Sequence, residues 1–203
     1  MQTQENHRNR TEVCAPRDQG GFRYYHKTIA TAFIGIGSNI QPETNVAACK
    51  TLLLKHWPAI KFSSLYSSAP REYENQGQFC NAVAALETEE SPEEVVQVLR
   101  EIEAVLKKSP PFKFGPRTID LDLLLYGDSI IPSKKEWMRN YKLPATSYKL
   151  MVPHPRMHER RFVLEPLCEL IDPRALHPTR KKPWNVLLES TNDQECVRVQ
   201  ETR

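Results

Sequence analysis

From position 28 onward, apolar and polar residues follow two different periods, and the changes of period mark out the elements. Residues 30–36 are almost continuously apolar, the pattern of a central strand covered on both faces, and they run into Gly37-Ser38-Asn39. Pro42 suits the first turn of a helix reaching about His56, with Val46, Leu53 and Leu54 as its buried side. Residues 60–66 and 81–86 read as a second and third strand, separated by the polar loop 67–78. Ser91-Pro92-Glu93-Glu94 is a capping box with proline at the first helical position, opening a helix through about Lys107. On it Leu99, Ile102 and Leu106 face the core, which aligns Arg100, Glu103 and Lys107 on another face. A fourth strand runs from about Ile119 to Tyr126. The order β-α-β-β-α-β predicts a ferredoxin-like α+β sandwich, an antiparallel sheet with helices and C-terminal additions.

Composition narrows the picture. A chain of 203 residues buries one good core, and 39% hydrophobic with 26% charged residues is a globular balance. A net charge of +3 is too modest to imply nucleic-acid binding, and no apolar run reaches the length of a membrane span. The cysteines at 14, 49, 80, 168 and 196 are odd in number and lack C-x-x-C spacing, so neither a disulfide framework nor a zinc site is expected and a reducing cytoplasm is. Residues 1–28 are polar, with Arg10, Arg17 and Arg23 but no apolar h-region, and Glu5, Glu12 and Asp18 argue against a transit peptide. We expect a disordered extension over 1–28, a functional domain over 29–175 and a peripheral tail over 176–203. The segment 128–151, with Lys134, Lys135, Trp137, Arg139 and Tyr141, is long enough to be functional or disordered.

The chemistry concentrates in Gly115-Pro116-Arg117-Thr118-Ile119-Asp120-Leu121-Asp122. On a strand, residues i and i+2 share a face, so Asp120 and Asp122 point one way and Ile119, Leu121 and Leu123 the other. Two parallel carboxylates on a half-buried face repel each other unless a cation lies between them. Their oxygens suit Mg²⁺, which keeps several waters and draws its other ligands from phosphates. Arg117 adds a fork suited to phosphate oxygens. Taken alone, a D-x-D pair is more often a wet edge strand.

The whole string is different. Gly-Pro-Arg-Thr-x-Asp-x-Asp, followed by an apolar run and glycine, resembles the signature of the hydroxymethyldihydropterin pyrophosphokinases of folate biosynthesis. Val152-Pro153-His154-Pro155-Arg156-Met157 leading to Arg160-Arg161-Phe162, and the opening strand to Gly37-Ser38-Asn39, are similar to that family's other blocks, in family order. The resemblance implies transfer of pyrophosphate from ATP to 6-hydroxymethyl-7,8-dihydropterin, with two Mg²⁺ ions held by Asp120 and Asp122. It implies ATP contacts from Arg100, Glu103, Phe114, Arg117, His154 and Arg160. It also implies a pterin pocket of Phe79 and Phe162 as stacking faces, Asn81 at the ring edge, and backbone groups near Ser68 and Arg71. A functional link to a dihydropteroate synthase follows from the shared pathway; nucleic acid and membrane are not implied. His154 and His158 could form a helical i, i+4 metal pair, but Pro155 opposes a helix there.

The chain also departs from the family pattern. Where a Gly-Arg-x-Arg-like loop is common, it has Lys107-Lys108-Ser109-Pro110-Pro111, so Lys107 and Lys108 are the candidates for catalytic phosphate contact. Phe114 stands where tryptophan is common, Arg100 where glutamine is, and Lys149 and Met151 where arginine and threonine are. These departures keep open a second reading, a catalytically weakened pterin- or nucleotide-binding regulatory module. Base stacking on the sheet is disfavoured, because the aromatic RNP strands are absent.

Overall fold

A computed structural model describes residues 11–16, 22–71, 73–108, 112, 115–142 and 150–200, with side chains from residue 28 onward. Strands β1 (Thr11–Pro16) and β2 (Phe22–Lys27) pair antiparallel as a small sheet of their own. Composition predicts no regular structure here.

The main sheet begins with β3 (Ala30–Ser38), followed by α1 (Pro42–His56), β4 (Lys61–Phe62), β5 (Tyr66–Ser68), β6 (Phe79–Thr88), α2 (Pro92–Val105) and β7 (Asp120–Tyr126). Then come α3 (Lys134–Asn140), α4 (Arg161–Cys168), α5 (Trp184–Glu189) and β8 (Val197–Arg198). The strand order is β7-β3-β6-β5-β8, with β4 also on β6 and every pair antiparallel. This is the α+β sandwich that the element order predicts.

Both faces of the sheet are covered, which explains why β3 is apolar along most of its length. Ile34 and Ile36 pack with Val46 and Leu53 of α1 and Val95 and Leu99 of α2, while Phe33 packs on the opposite side with Leu164 and Leu167 of α4. The α2 capping box forms as expected: the Ser91 hydroxyl accepts from the Glu94 N–H at 3.3 Å, and the Glu94 carboxylate accepts from the Ser91 N–H at 2.6 Å.

Several local expectations change. Leu54 is 43% exposed, because α1 turns Leu53 rather than its neighbour to the sheet. The expected strand 60–66 splits into β4 and β5 around Ser63, whose hydroxyl takes the Val83 N–H at 2.9 Å in place of a ladder carbonyl. On β7, a register shift opposite Phe33/Ile34 sends both Leu124 and Leu125 into the second core, interrupting strict alternation. Residues 176–200 are not peripheral. Trp184 and Leu187 of α5 are buried in the second core, and β8 extends the sheet beside β5. The first of these is a large indole whose burial against α4 outweighs the cost of ordering a short helix.

That core also holds ionisable groups. His177 is fully buried, its Nδ1 accepting from the Thr179 and Arg180 N–H groups at 3.2 and 3.3 Å. Burial, then the neighbouring His158 and Arg180, pushes its pKa down to about 3; burial and the Arg180 guanidinium push His158 down to about 4. Both are therefore neutral in the native state, while in the unfolded chain they take up protons below about 6.5. Their contribution to stability is complete above that pH and declines as pH falls toward 4, by on the order of 3 kcal/mol per histidine. Urea midpoints measured from pH 7.5 to 4 should fall accordingly. His177→Gln should flatten the profile.

Candidate active site

Three adjacent strands build the floor of one cleft. The register aligns Asp120 of β7 with Gly37 of β3 and Asn81 of β6, and in the next row Asp122 with Gly35 and Val83. Side chains of both rows rise on the sheet face that α4 covers farther along, so the cleft opens where the second core ends. The glycines keep the floor low. A Cβ on Gly37 would stand 3.5 Å from the Asn81 Oδ1, and one on Gly35 would press within 3.2 Å of the Leu124 side chain. The walls come from Ser68, Arg71 and Phe79 on one side and His154, Arg156, Arg160 and Phe162 on the other, with Arg117 at the carboxylate end.

The Gly37-Ser38-Asn39 ending of β3 holds the segment that carries Arg117. The Asn39 and Ile40 N–H groups donate to the Arg117 carbonyl at 3.2 and 3.3 Å, the Asn39 Oδ1 accepts the Arg117 N–H at 2.8 Å, and the Ser38 hydroxyl donates to the Thr118 carbonyl at 2.6 Å. So anchored, the guanidinium lies 5.6 Å over the Phe79 ring and donates to Asp120 Oδ2 at 2.7 Å. The other Asp120 oxygen accepts from Lys108 Nζ at 2.5 Å, and that ammonium also donates to Glu103 Oε1 at 2.6 Å. Burial acts to raise the Asp120 carboxyl, but Lys108 and Arg117 outweigh it and hold its pKa below the ordinary carboxylate value. Burial pushes Glu103 up against the opposing pull of Lys108. Asp122 is more open, its carboxylate 47% exposed and 4.0 Å from His154 Nε2. Burial lowers the His154 pKa in spite of Asp122, and its buried Nδ1 has no partner among the described residues.

The end of α2 decides which lysine enters the site. Lys107 takes a left-handed conformation (φ 54°), the Lys107 N–H donates to the Ala104 carbonyl at 3.1 Å and the Lys108 N–H to the Glu103 carbonyl at 2.9 Å. This is a Schellman turn with lysine in the position glycine usually takes. It leaves Lys107 exposed, outside both clefts, and folds Lys108 back over Glu103 and Asp120. Of the two candidates the structure therefore brings in one, and Lys107 is corrected to a surface residue.

A second cleft adjoins the first across Asp122 and His154, lined by Arg100, Glu103, Lys108, Met151 and Pro155. Thus Asp120, Asp122, Arg117, His154, Arg160, Ser68, Arg71, Phe79, Asn81 and Phe162 converge on the first, and Arg100 and Glu103 face the second. Phe114 and Lys149 lie outside the described residues. His154 and His158 are not a helical metal pair: His154 precedes the short 3-10 turn Met157–Glu159, and His158 is buried within it. Arg156 also lines the first cleft, a residue whose one signal in the sequence is its place within the Val-Pro-His-Pro-Arg-Met block. Gly35 and Gly37 belong to the opening-strand block, but their part in the floor depends on strand register, which the block does not reveal.

Paired carboxylates beside a fork of cations, next to a cleft with two aromatic walls and a buried amide, are the class of site that suits phosphate chemistry on a flat polar ligand. Comparisons with known proteins agree. The model of the 7,8-dihydro-6-hydroxymethylpterin-pyrophosphokinase family matches residues 33–172. The chain is 34% identical over 156 residues to 2-amino-4-hydroxy-6-hydroxymethyldihydropteridine pyrophosphokinase of Aquifex aeolicus, covering 76% of this chain and 88% of that protein. It is 35% identical over 171 residues to the protein of the same name from Bacillus subtilis, covering 83% and 89%. Among solved structures, Plasmodium falciparum HPPK-DHPS with pteroate shares the fold at TM-score 0.60 and 14% identity, over 80% of this chain and 44% of that one. The chain belongs to the 7,8-dihydro-6-hydroxymethylpterin-pyrophosphokinase family.

Proposed function

We propose that the two adjoining clefts are where this chain transfers pyrophosphate from ATP to 6-hydroxymethyl-7,8-dihydropterin, yielding AMP and the pterin diphosphate, a step of folate biosynthesis. The observation that carries the reading is the row Asp120–Gly37–Asn81, which sets the phosphate-facing charges and the pterin-facing amide across one low floor. Phe79 and Phe162 supply the stacking faces. Asn81 Nδ2 already donates to the Ser68 hydroxyl at 3.0 Å, which leaves its Oδ1 to accept from the ring's N–H edge. The second cleft takes the nucleotide against Arg100, Glu103 and His154, with Arg117, Arg160 and Lys108 toward the phosphates.

The donor set fits magnesium. Two carboxylate faces, with no third acidic, histidine or cysteine ligand grouped with them among the described residues, suit a hard ion that keeps waters and shares phosphate oxygens. Asp120 and Asp122 would hold it, as two ions arriving with ATP. When bound it neutralises phosphate charge and lowers the pKa of a coordinated hydroxyl. The chain's own part is orientation: Asn81 and the two rings place the pterin's hydroxymethyl group toward the carboxylate end, where its oxygen, releasing its proton to solvent, bonds to the β-phosphorus as the bond to the AMP oxygen breaks. Arg117 and Lys108 stabilise the charge spread over the transferred group. Lys108 supplies positive charge in the place where the altered loop left it in question, which favours the enzyme over the weakened binding module. A dihydropteroate synthase consumes the product, consistent with the fused architecture named for the Plasmodium structure.

The test is AMP release from ATP and Mg²⁺, expected only when the pterin alcohol is present. In the same system, Phe162→Ala and Asn81→Ala should weaken pterin binding about tenfold or more while changing affinity for a nonhydrolysable ATP analogue little, since a stacked ring or a buried polar contact is worth on the order of 1–2 kcal/mol. Equal losses for both ligands would mean that these side chains only support the core.

A further inference from the structure

The start of the connection 128–151, through α3, and the segment after α4 contribute no group to either cleft, and they meet. Ser133 caps α3, accepting the Glu136 N–H at 3.3 Å, and the helix buries Trp137 completely. Its indole N–H donates to the Pro153 carbonyl at 2.7 Å, and one strand-like pair, Ile131 with Val152, ties the start of the segment to the same stretch. Tyr141 stacks on Trp137 with ring centroids 5.1 Å apart and planes 5° from parallel. Arg180, from the segment before α5, lies 4.2 Å over the Tyr141 ring and 5.4 Å over Trp137. From there its Nε and one terminal nitrogen both donate to His158 Nε2, at 2.9 and 2.6 Å. The Glu159 carboxylate approaches the same imidazole nitrogen at 3.3 Å.

These contacts share one target. Pro153 is gripped by Trp137 and His158 by Arg180, and between those two points lie His154 and Arg156, which line the first cleft; Arg160 follows two residues later. The loop's other ties are a backbone bond from the His154 N–H to the Leu124 carbonyl at 2.8 Å, the single 3-10 turn, and at its far end the Glu159 carbonyl, which accepts from Arg71 and Gln194 at 2.7 and 3.0 Å. An imidazole kept neutral by burial and by the guanidinium is what the fork needs as an acceptor, and the stacked rings hold the guanidinium flat. We propose that Trp137 and Arg180 are positioning residues for ATP: the inserted helix and the C-terminal segment form a splint that holds loop 153–160 in its nucleotide-binding shape. This deepens the proposed function and rests on its assignment of His154 and Arg160 to the nucleotide.

The test compares Trp137→Phe, which keeps an aromatic ring and removes the N–H donor, with Arg180→Gln, Arg180→Lys and Lys142→Ala. Lys142 also sits over Tyr141, at 5.6 Å, so it serves as a control for charge near the rings. Calorimetry should give about three- to tenfold weaker binding of a nonhydrolysable ATP analogue for Trp137→Phe and Arg180→Gln, the value of one or two hydrogen bonds, with pterin affinity within about twofold of the parent. Arg180→Lys should recover part of the loss, and Lys142→Ala should match the parent. Amide hydrogen exchange should quicken over 154–160 and stay unchanged in β3 and β6. Unchanged analogue affinity and unchanged exchange in both Trp137→Phe and Arg180→Gln would overturn the proposal; so would equal weakening of both ligands with faster exchange throughout, which would make these residues ordinary core. The underlying assignment is checked separately: if His154→Ala leaves analogue affinity intact while exchange over 154–160 responds to Arg180→Gln, the loop is splinted but does not serve the nucleotide, and the proposal fails on that ground.

Discussion

Asp122→Ala should lower pterin-dependent AMP formation by about two to three decades, the scale seen when a group that stabilises developing charge is removed. Its melting temperature should stay close to the parent's. The carboxylate is 47% exposed and its ion-pair partner, His154, is 4.0 Å away, so the folded state loses little when it goes. Asp120→Ala should cost as much activity and also stability, because that carboxylate separates Lys108 and Arg117 at 2.5 and 2.7 Å, and its removal leaves two cations facing each other. The isosteric Asp120→Asn spares the shape and should show the catalytic loss more cleanly. AMP formation measured beside thermal melting separates the two effects. Near-normal turnover in a well-folded Asp122→Ala protein would end the metal assignment.

Lys108→Ala should lower turnover by about one to three decades with pterin affinity nearly unchanged, since a mobile ammonium is lost from the phosphate side. Lys107→Ala should leave turnover as it is, because the Schellman turn points that side chain to solvent. The contrast between adjacent lysines is the informative measurement. If both single variants matched the parent, the charge on the transferred group would have to come from Arg117 and Arg160 alone. Lys108→Ala also removes the partner of Glu103, whose Oε1 accepts the Leu121 N–H at 2.7 Å, so a modest loss of stability should accompany the kinetic effect.

The amino-acid sequence alone determined the features that depend on a local period or a local dihedral preference. Asp120 and Asp122 share a face because a strand repeats every two residues, and Ser91 with Glu94 starts α2 because a short hydroxyl and a carboxylate satisfy the first N–H groups of a helix. The blocks around Gly115 and Val152 named the family. Tertiary structure decided whatever depends on partners far apart in the chain. Register across β7, β3 and β6 made Gly35 and Gly37 the floor of the site; one left-handed residue at the end of α2 chose Lys108 over Lys107. Burial of Trp184 turned an expected tail into core, and Trp137 and Arg180, 43 positions apart, met at the loop that carries His154. No period in the chain encodes such meetings, because they arise only when packing brings complementary surfaces together, and a single residue's displacement in register would undo them.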